Sequence, residues 1–291
     1  MNSLNITRSI LSITSPGVHL DPIENDFARS LARSCNEFAA DLKRRHPTRF
    51  GFWASLPLPN VEGSVAEACF ALDELNADGV VVLSNHHGTY LGSEALQPLW
   101  AELDRRNAVV FVHPTTPCMH LPSNSATTGR KCQAATPLPR YPRPMFEFIF
   151  DTARTAIDLF LSGTMKRHTR LRFILSHGGG ALPILVERFT LIPQLQGVDM
   201  KGETAESIKA TLRERFYFDL AGFPYPAVVQ TLLMYVGSER LLYGSDYCLT
   251  PFPAAEKLVE GMEEWMPKIW EDERERKMVL VGNAEAMLER K

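Results

Sequence analysis

Short apolar runs alternate with longer amphipathic segments along most of this chain. The seven runs are rich in Val, Ile, Leu and Phe and lie at 8–14, 49–57, 78–85, 108–114, 171–180, 215–222 and 240–247. Each is apolar at consecutive positions, which is typical of strands whose two faces are both covered. The pattern therefore predicts seven buried strands of a parallel sheet.

The segments between these runs have the periodicity of helices. They lie at 26–45, 64–75, 94–106, 145–167, 181–195, 205–214 and 226–236, and the tail after residue 253 also has a helical pattern. Alternation of strands and helices indicates βαβ units, so we expect an α/β fold. We predict a single domain over 1–291 that resembles a (β/α)8 TIM barrel with one strand too few. A doubly wound open sheet is the alternative, although no G-x-G-x-x-G opens a helix after the first strand.

Composition narrows the choice of partner. The 31 basic and 34 acidic residues give a net charge of −3 without a basic block, which favours neither nucleic acid nor an anionic membrane as partner. The five cysteines are odd in number and lack C-x-x-C spacing, which is typical of a reducing compartment and argues against a disulfide framework. No signal peptide or membrane span is predicted, so we expect a cytoplasmic protein that acts on a small molecule.

One long segment, 115–144, interrupts the alternation. It holds six prolines and little periodic hydrophobicity. Long loops inside compact domains are usually lids, binding loops or disordered segments. Because this one directly follows His113, we interpret it as a lid.

Polar groups follow the apolar runs, and three of them could carry chemistry. His113, His177 and Asp246 lie at or just beyond the carboxyl ends of three different predicted strands. A parallel barrel brings such ends together over one pocket. Two imidazoles and a carboxylate could bind a divalent metal or act as acid and base. Each also has a structural alternative: strand-end histidines often only form hydrogen bonds, and an Asp after Gly-Ser commonly caps a turn.

The glycines that follow His177, in "SHGGG", have two interpretations. They could let the backbone approach a ligand closely, or they could only make a tight turn into the next helix.

At these residues the sequence resembles a known family. "FVHP", "ILSHGGGALP" and "LLYGSDY", in this order, are similar to the metal-dependent decarboxylase branch of the amidohydrolase superfamily. That branch includes 2-amino-3-carboxymuconate-6-semialdehyde decarboxylase and the salicylate and resorcylate decarboxylases. "SITSPGV", "FGFWASLP" and "LDELNADGVVVLS" resemble its fungal 6-methylsalicylate decarboxylase type, so the resemblance covers nearly the whole chain.

The resemblance implies a distorted (β/α)8 barrel and a set of roles. It implies that His113 and Asp246 are ligands of a divalent metal, zinc or manganese, and that His177 assists proton transfer. It further implies that Arg188 binds the substrate carboxylate, in some members across a dimer interface, and hence a homodimer. An ordinary solvated helix arginine is the alternative for Arg188.

The segment after "VVVLSN" resembles pocket wall, which implies that His87 and Tyr90 contact the substrate. His86 and His87 are also the nearest candidates for a substitute metal ligand.

The chain departs from the family at its start. The family's first strand carries an H-x-H or E-x-H pair that supplies two metal ligands, and none of the histidines before His113 makes such a pair. From the resemblance we expect about fifty residues of the family pattern to be absent, which would explain the count of seven strands. Since a catalytic zinc usually has three protein ligands, we expect metal binding to be impaired or absent.

The expected activity is that of a lyase in secondary metabolism that decarboxylates a small aromatic or enoic carboxylic acid, 6-methylsalicylate-like, with His177 and Asp246 as acid–base groups. Three explanations of the missing pair stay open. The sequence could be truncated, or it could be a metal-free descendant that catalyses another lyase, isomerase or cyclisation step. It could also be a non-catalytic homologue that partners an active decarboxylase.

Overall fold

Seven parallel strands form one curled sheet in the computed structural model, which describes residues 1–120 and 132–289. Their spatial order follows the chain, and each strand pairs in parallel with the next. They are β1 (Ser9–Leu11), β2 (Phe50–Ser55), β3 (Gly79–Leu83), β4 (Val109–His113), β5 (Arg172–Leu175), β6 (Phe216–Asp219) and β7 (Leu241–Leu242). All seven predicted strands are confirmed.

Helices connect the strands and cover the outer face of the sheet. They are α1 (Asn25–Arg45), α2 (Val61–Asp73), α3 (Gln97–Arg105), α4 (Glu147–Leu161), α5 (Thr164–Arg167), α6 (Leu182–Leu195), α7 (Ala205–Arg215) and α8 (Ala227–Leu232), followed by α9 (Phe252–Ile269), α10 (Glu273–Lys277) and α11 (Asn283–Glu289) after the last strand. The predicted helix at 145–167 is two helices, because Gly163 interrupts it with a positive φ of 76°. The order of elements confirms the α/β barrel-like prediction.

The sheet does not close on itself. Within the described residues β1 pairs only with β2, and β7 pairs only with β6, so a seam separates the two edge strands. The molecule is therefore a curled half-barrel, as expected for a (β/α)8 barrel that lacks one strand.

Both faces of the sheet are buried, because successive side chains of a strand point to opposite faces. On the outer face, residues such as Phe52, Val80 and Phe173 pack against the helices. On the inner face, Trp53 and Ile174 belong to a second cluster that includes Met287 of α11. The Arg172 side chain at the start of β5 donates to the Met287 carbonyl at 2.8 Å, so α11 covers the end of the sheet at which the strands begin.

Two short antiparallel hairpins lie outside the predicted pattern. One pairs Asn85–His86 with Thr89–Tyr90, and the other pairs Cys118–His120 with Cys132–Ala134. Part of the predicted lid, 121–131, lies outside the described residues. Cys118 is disulfide-bonded, which does not agree with the reducing compartment that the cysteine pattern favoured. The cytoplasmic location that rested on that pattern stays a prediction.

Over the described part of the chain, none of the helices is both long and apolar enough to cross a membrane.

Candidate active site

A cavity of about 1280 Å³ lies at the end of the sheet where the strands finish. Loops that follow β1, β3, β4, β5, β6 and β7 contribute to its wall, as the parallel arrangement requires. Four residues predicted for the site lie on it: His87, His113, His177 and Asp246. The structure therefore brings together the three strand-end groups that the sequence singled out.

His113 is the last residue of β4 and its side chain is buried. Its Nδ1–H donates to the Pro114 carbonyl at 2.7 Å, which leaves Nε2 as the acceptor. The Thr14 hydroxyl lies 3.1 Å from that Nε2 and is placed to donate to it. Burial and the neighbouring His177 lower the pKa of His113 to about 4. His113 is therefore neutral at pH 7, and its Nε2 lone pair faces the Thr14 hydroxyl.

His177 and Asp246 form an ion pair at the cavity wall. His177 Nε2 lies 3.7 Å from Asp246 Oδ2, a distance longer than a hydrogen bond but within ion-pair range. Burial opposes a charge on His177, but Asp246 and Asp219 more than offset it, so the pKa of His177 is raised. Burial also works against the charge on Asp246, yet His177 and His113 bring its pKa below the usual value. The pair therefore favours imidazolium and carboxylate.

The backbone at both groups is unusual. His177 has a φ of 55° and Asp246 a φ of 51°, in the left-handed region that non-glycine residues seldom occupy. The His177 amide N–H donates to Asp219 Oδ1 at 2.9 Å, which holds this turn. Strained conformations of this kind cluster at functional sites and cost about 1 kcal/mol or more each. Asp219 ends β6, and sequence reasoning noted it only as a polar strand end.

The glycines after His177 make a tight turn. Gly178, Gly179 and Gly180 all have positive φ. A Cβ at Gly180 would lie 2.3 Å from the Ile149 carbonyl oxygen of α4. Of the two interpretations of "SHGGG", the structure supports the tight turn, because the close neighbour of Gly180 is the protein's own backbone.

Three further histidines line the opposite wall, so that five of the chain's eight histidines surround one cavity. His87 Nε2 lies 3.2 Å from His19 Nδ1, and His19 Nε2–H donates to Asn25 Oδ1 at 3.0 Å. His86 accepts the Leu83 amide N–H at 3.2 Å, and burial lowers its pKa to about 3. His19 was missed by sequence reasoning, since it lies in an irregular stretch before α1.

Tyr90 is not part of the described cavity wall. Its hydroxyl donates to Asp151 Oδ1 at 2.5 Å, and Asn85 donates to the other carboxylate oxygen at 2.9 Å. Ser84 also donates to Asp151 and accepts the Thr115 amide N–H at 3.0 Å. This buried network joins the loops after β3 and β4. The structure therefore shows a positioning contact for Tyr90, and its contact with substrate stays a prediction.

Arg188 also lies away from the cavity wall. It is exposed on α6, near the exposed side chains Ile184, Leu191 and Leu195. Within one chain it therefore does not reach the site, and its predicted role requires a second copy.

The donor set does not fit a complete catalytic metal centre. Among residues 1–120 and 132–289, no group of three or more His, Cys, Asp or Glu side chains is arranged to hold a metal ion. His113 and Asp246 supply two donors, whereas a catalytic zinc usually has three protein ligands and a water. The neighbouring His177 is engaged with Asp246.

A barrel-like sheet with a His–Asp pair and a histidine-lined cavity at the carboxyl ends of its strands has the arrangement of barrel enzymes, whose active sites lie at that end. Comparison with known proteins narrows this class: the sequence profile of the amidohydrolase family matches residues 1–290, and the chain belongs to that family.

Curated relatives of this chain are decarboxylases, and so are several of the solved structures that share its fold. The 6-methylsalicylic acid decarboxylase of Aspergillus aculeatus is 39% identical over 268 residues, which are 90% of this chain and 76% of the relative. A solved amidohydrolase structure with 28% identity has a TM-score of 0.83 and covers 99% of this chain and 86% of its own. The 5-carboxyvanillate decarboxylase of Novosphingobium aromaticivorans, solved with manganese, shares the fold at 23% identity, a TM-score of 0.83 and coverage of 99% and 78%. The comparisons place this chain in the decarboxylase branch of the family.

Proposed function

We propose that this protein decarboxylates a small hydroxylated aromatic carboxylic acid of the 6-methylsalicylate type. The observation that carries the proposal is the 39% identity to such a decarboxylase over 90% of the chain. The His177–Asp246 pair facing a cavity of about 1280 Å³ supports it, since that volume accommodates one substituted ring.

Loss of carbon dioxide from an aromatic ring requires a proton at the carbon that bears the carboxylate. The imidazolium of His177 would donate this proton, and the ortho hydroxyl of the substrate would supply electron density to the ring. The bond between ring and carboxylate then breaks, carbon dioxide leaves, and its bonding electron pair restores aromaticity. Asp246 would stay ionised throughout and hold the proton on His177 before transfer. Water would reprotonate His177 after product release.

A divalent metal is a separate part of the proposal. His113 and Asp246 would be the groups of the described chain that hold zinc or manganese, as the family implies. Because they are only two donors, we propose that metal binding is impaired. Metal analysis of purified protein tests this directly: stoichiometric zinc or manganese whose removal abolishes activity would overturn it.

The activity test compares the wild-type protein with His177→Asn and Asp246→Asn on 6-methylsalicylate and salicylate. We expect each substitution to lower kcat by about 10²–10⁴-fold, because general acid catalysis contributes on that order. His46→Gln, at an exposed histidine, is the matched control and should change nothing. Full activity of both site variants, with unchanged circular dichroism, would refute the assignment. Tight binding of these acids by the wild type without turnover would favour the non-catalytic alternative.

We also propose a homodimer that uses the exposed face of α6. Ile184, Arg188, Leu191 and Leu195 recur at helical spacing on that face, and the three apolar side chains are 73%, 44% and 85% exposed. A second copy would cover them and would bring Arg188 near a neighbouring cavity. Sedimentation of Leu191→Glu tests this: we expect a monomer, and an unchanged dimer would refute the use of this face.

A further inference from the structure

The cavity wall carries one permanent positive charge. Of the described residues that line it, Arg143 is the only lysine or arginine, and Asp246 is the only aspartate or glutamate. An aromatic carboxylate that enters this cavity loses part of its hydration and meets the negative charge of Asp246. Since an unpaired anion in such a site is costly, a cationic partner for it is expected.

The backbone around Arg143 is restricted by its neighbours. Pro142 and Pro144 flank it, and the short 3-10 turn Arg143–Met145 leads into α4. Proline fixes φ near −65°, so two of three consecutive residues have little backbone freedom. The base of this long side chain is therefore held in place, although the side chain itself is exposed to solvent.

A specific contact then orients the guanidinium group. Arg143 Nη1 donates to the Thr116 hydroxyl at 3.2 Å. Thr116 is three residues beyond His113, and its carbonyl accepts a hydrogen bond of 3.0 Å from the buried Asn85 amide. Asn85 is in turn bound to Asp151, so the partner of Arg143 is anchored in the network under the cavity.

We propose that Arg143 binds the carboxylate of the substrate at the wall of the cavity. This inference rests on the proposed function and names the residue that selects an anionic substrate for it. Guanidinium has five N–H donors in a planar fork, and the contact with Thr116 uses one of them. The remaining edge can bind a carboxylate through two parallel hydrogen bonds. Arg188, the arginine for which the family resemblance implies this role, is not on the wall of this chain's cavity.

The expected kinetic effect follows from where charge is lost in the reaction. The carboxylate is fully charged in the bound substrate and becomes neutral carbon dioxide as the bond breaks. An ion pair with Arg143 is therefore stronger in the ground state than in the transition state. Removal of an interaction of that kind raises KM and does not lower kcat. Arg143 is thus a binding and specificity residue, and the proton transfer belongs to His177.

The experiment uses Arg143→Gln and Arg143→Lys, with Arg140→Gln as the matched control. Arg140 is an exposed arginine of the same segment that does not line the cavity. Binding of salicylate and of its neutral analogue salicylamide is measured by calorimetry, and KM and kcat are measured with 6-methylsalicylate. We expect Arg143→Gln to weaken salicylate about tenfold, as a partly exposed charge-assisted hydrogen bond would predict. Salicylamide binding should stay within about twofold and kcat should not fall, and the salicylate affinity of Arg143→Lys should lie between those of wild type and Arg143→Gln.

Three results would overturn the inference: equal losses for salicylate and salicylamide, a fall in kcat without a rise in KM, or the same effect in Arg140→Gln. Failure of the wild type to bind salicylate at all would overturn it together with the proposed function. If the Arg143 variants decarboxylate the substrate with the same KM and kcat as the wild type, only this inference is refuted. Salicylate binding that depends on Arg143, without turnover of any acid tested, removes only the proposed decarboxylation.

Discussion

His86 should make the fold sensitive to acid, and the size of the effect can be worked out from its environment. The imidazole is buried, accepts the Leu83 amide N–H, and has its pKa lowered from 6.5 to about 3, mainly by burial. Between pH 6.5 and pH 3 this histidine is protonated in the unfolded chain but stays neutral in the folded chain. Stability therefore falls as the pH drops from 6.5 toward 3, by about 1.4 kcal/mol per pH unit.

At pH 5 this amounts to about 2 kcal/mol relative to pH 7 for His86. His113, whose pKa is lowered to about 4, should contribute a similar loss over the same interval. The two histidines together then account for a fall of about 4 kcal/mol between pH 7 and pH 5.

The substitution His86→Gln removes one titrating group and keeps an amide that can accept and donate hydrogen bonds. Urea unfolding at pH 7 and pH 5 measures the free energy of unfolding of both proteins. We expect the variant to lose about 2 kcal/mol less than the wild type over this interval. The exposed His46→Gln variant should behave as wild type. An identical pH dependence in wild type and His86→Gln would refute the reasoning, as would an equal flattening in His46→Gln.

Two further substitutions test the framework around the site. Asp151→Ala should lower the free energy of unfolding by about 3 kcal/mol, because Ser84, Asn85 and Tyr90 lose a buried acceptor. Thermal unfolding measures this change, and a loss below about 1 kcal/mol would contradict that account. Gly180→Ala should destabilise far more than Gly197→Ala, although both glycines have positive φ, because a Cβ has no close neighbour at Gly197 but would meet the Ile149 carbonyl at Gly180. Equal unfolding midpoints in urea for the two variants would show that the contact is relieved at little cost.

The sheet could be predicted from the sequence because each strand is recognisable from its own residues. Strands covered on both faces must be apolar at consecutive positions, so runs such as 78–85 and 108–114 are recognisable without any knowledge of their partners. The hairpin of Asn85–His86 with Thr89–Tyr90 has strands of two residues each, and Asp151, more than sixty residues away, anchors it. Such an element has no periodicity to detect.

Some residues of the site could likewise be predicted from the sequence, and others could not. His113, His177 and Asp246 could be predicted because the end of a parallel strand fixes where the next side chain lies. Asp219 acts through a backbone N–H of another loop, and Arg143 lies on the wall only because α4 and the loop after β4 meet. Contacts of this kind depend on tertiary folding. Tyr90 is another example: it is close in sequence to residues of the site, but its hydroxyl donates to Asp151, a contact that the sequence does not show.

The open seam shows what holds the site together in a sheet that does not close. Thr14, which follows the edge strand β1, contacts His113 at the end of β4. Asp246, which follows the other edge strand β7, contacts His177 after β5. The two edge strands are therefore joined to the centre of the sheet through loops and side chains at the cavity, while α11 covers the opposite end. Because no strand pairing across the seam restrains β7 in the described residues, the position of Asp246 depends on its own short-range contacts. Displacement of the loop after β7 would separate Asp246 from His177 and remove the negative charge that keeps the proton on the imidazole, so the contacts of this loop also set the acid–base state of the pair.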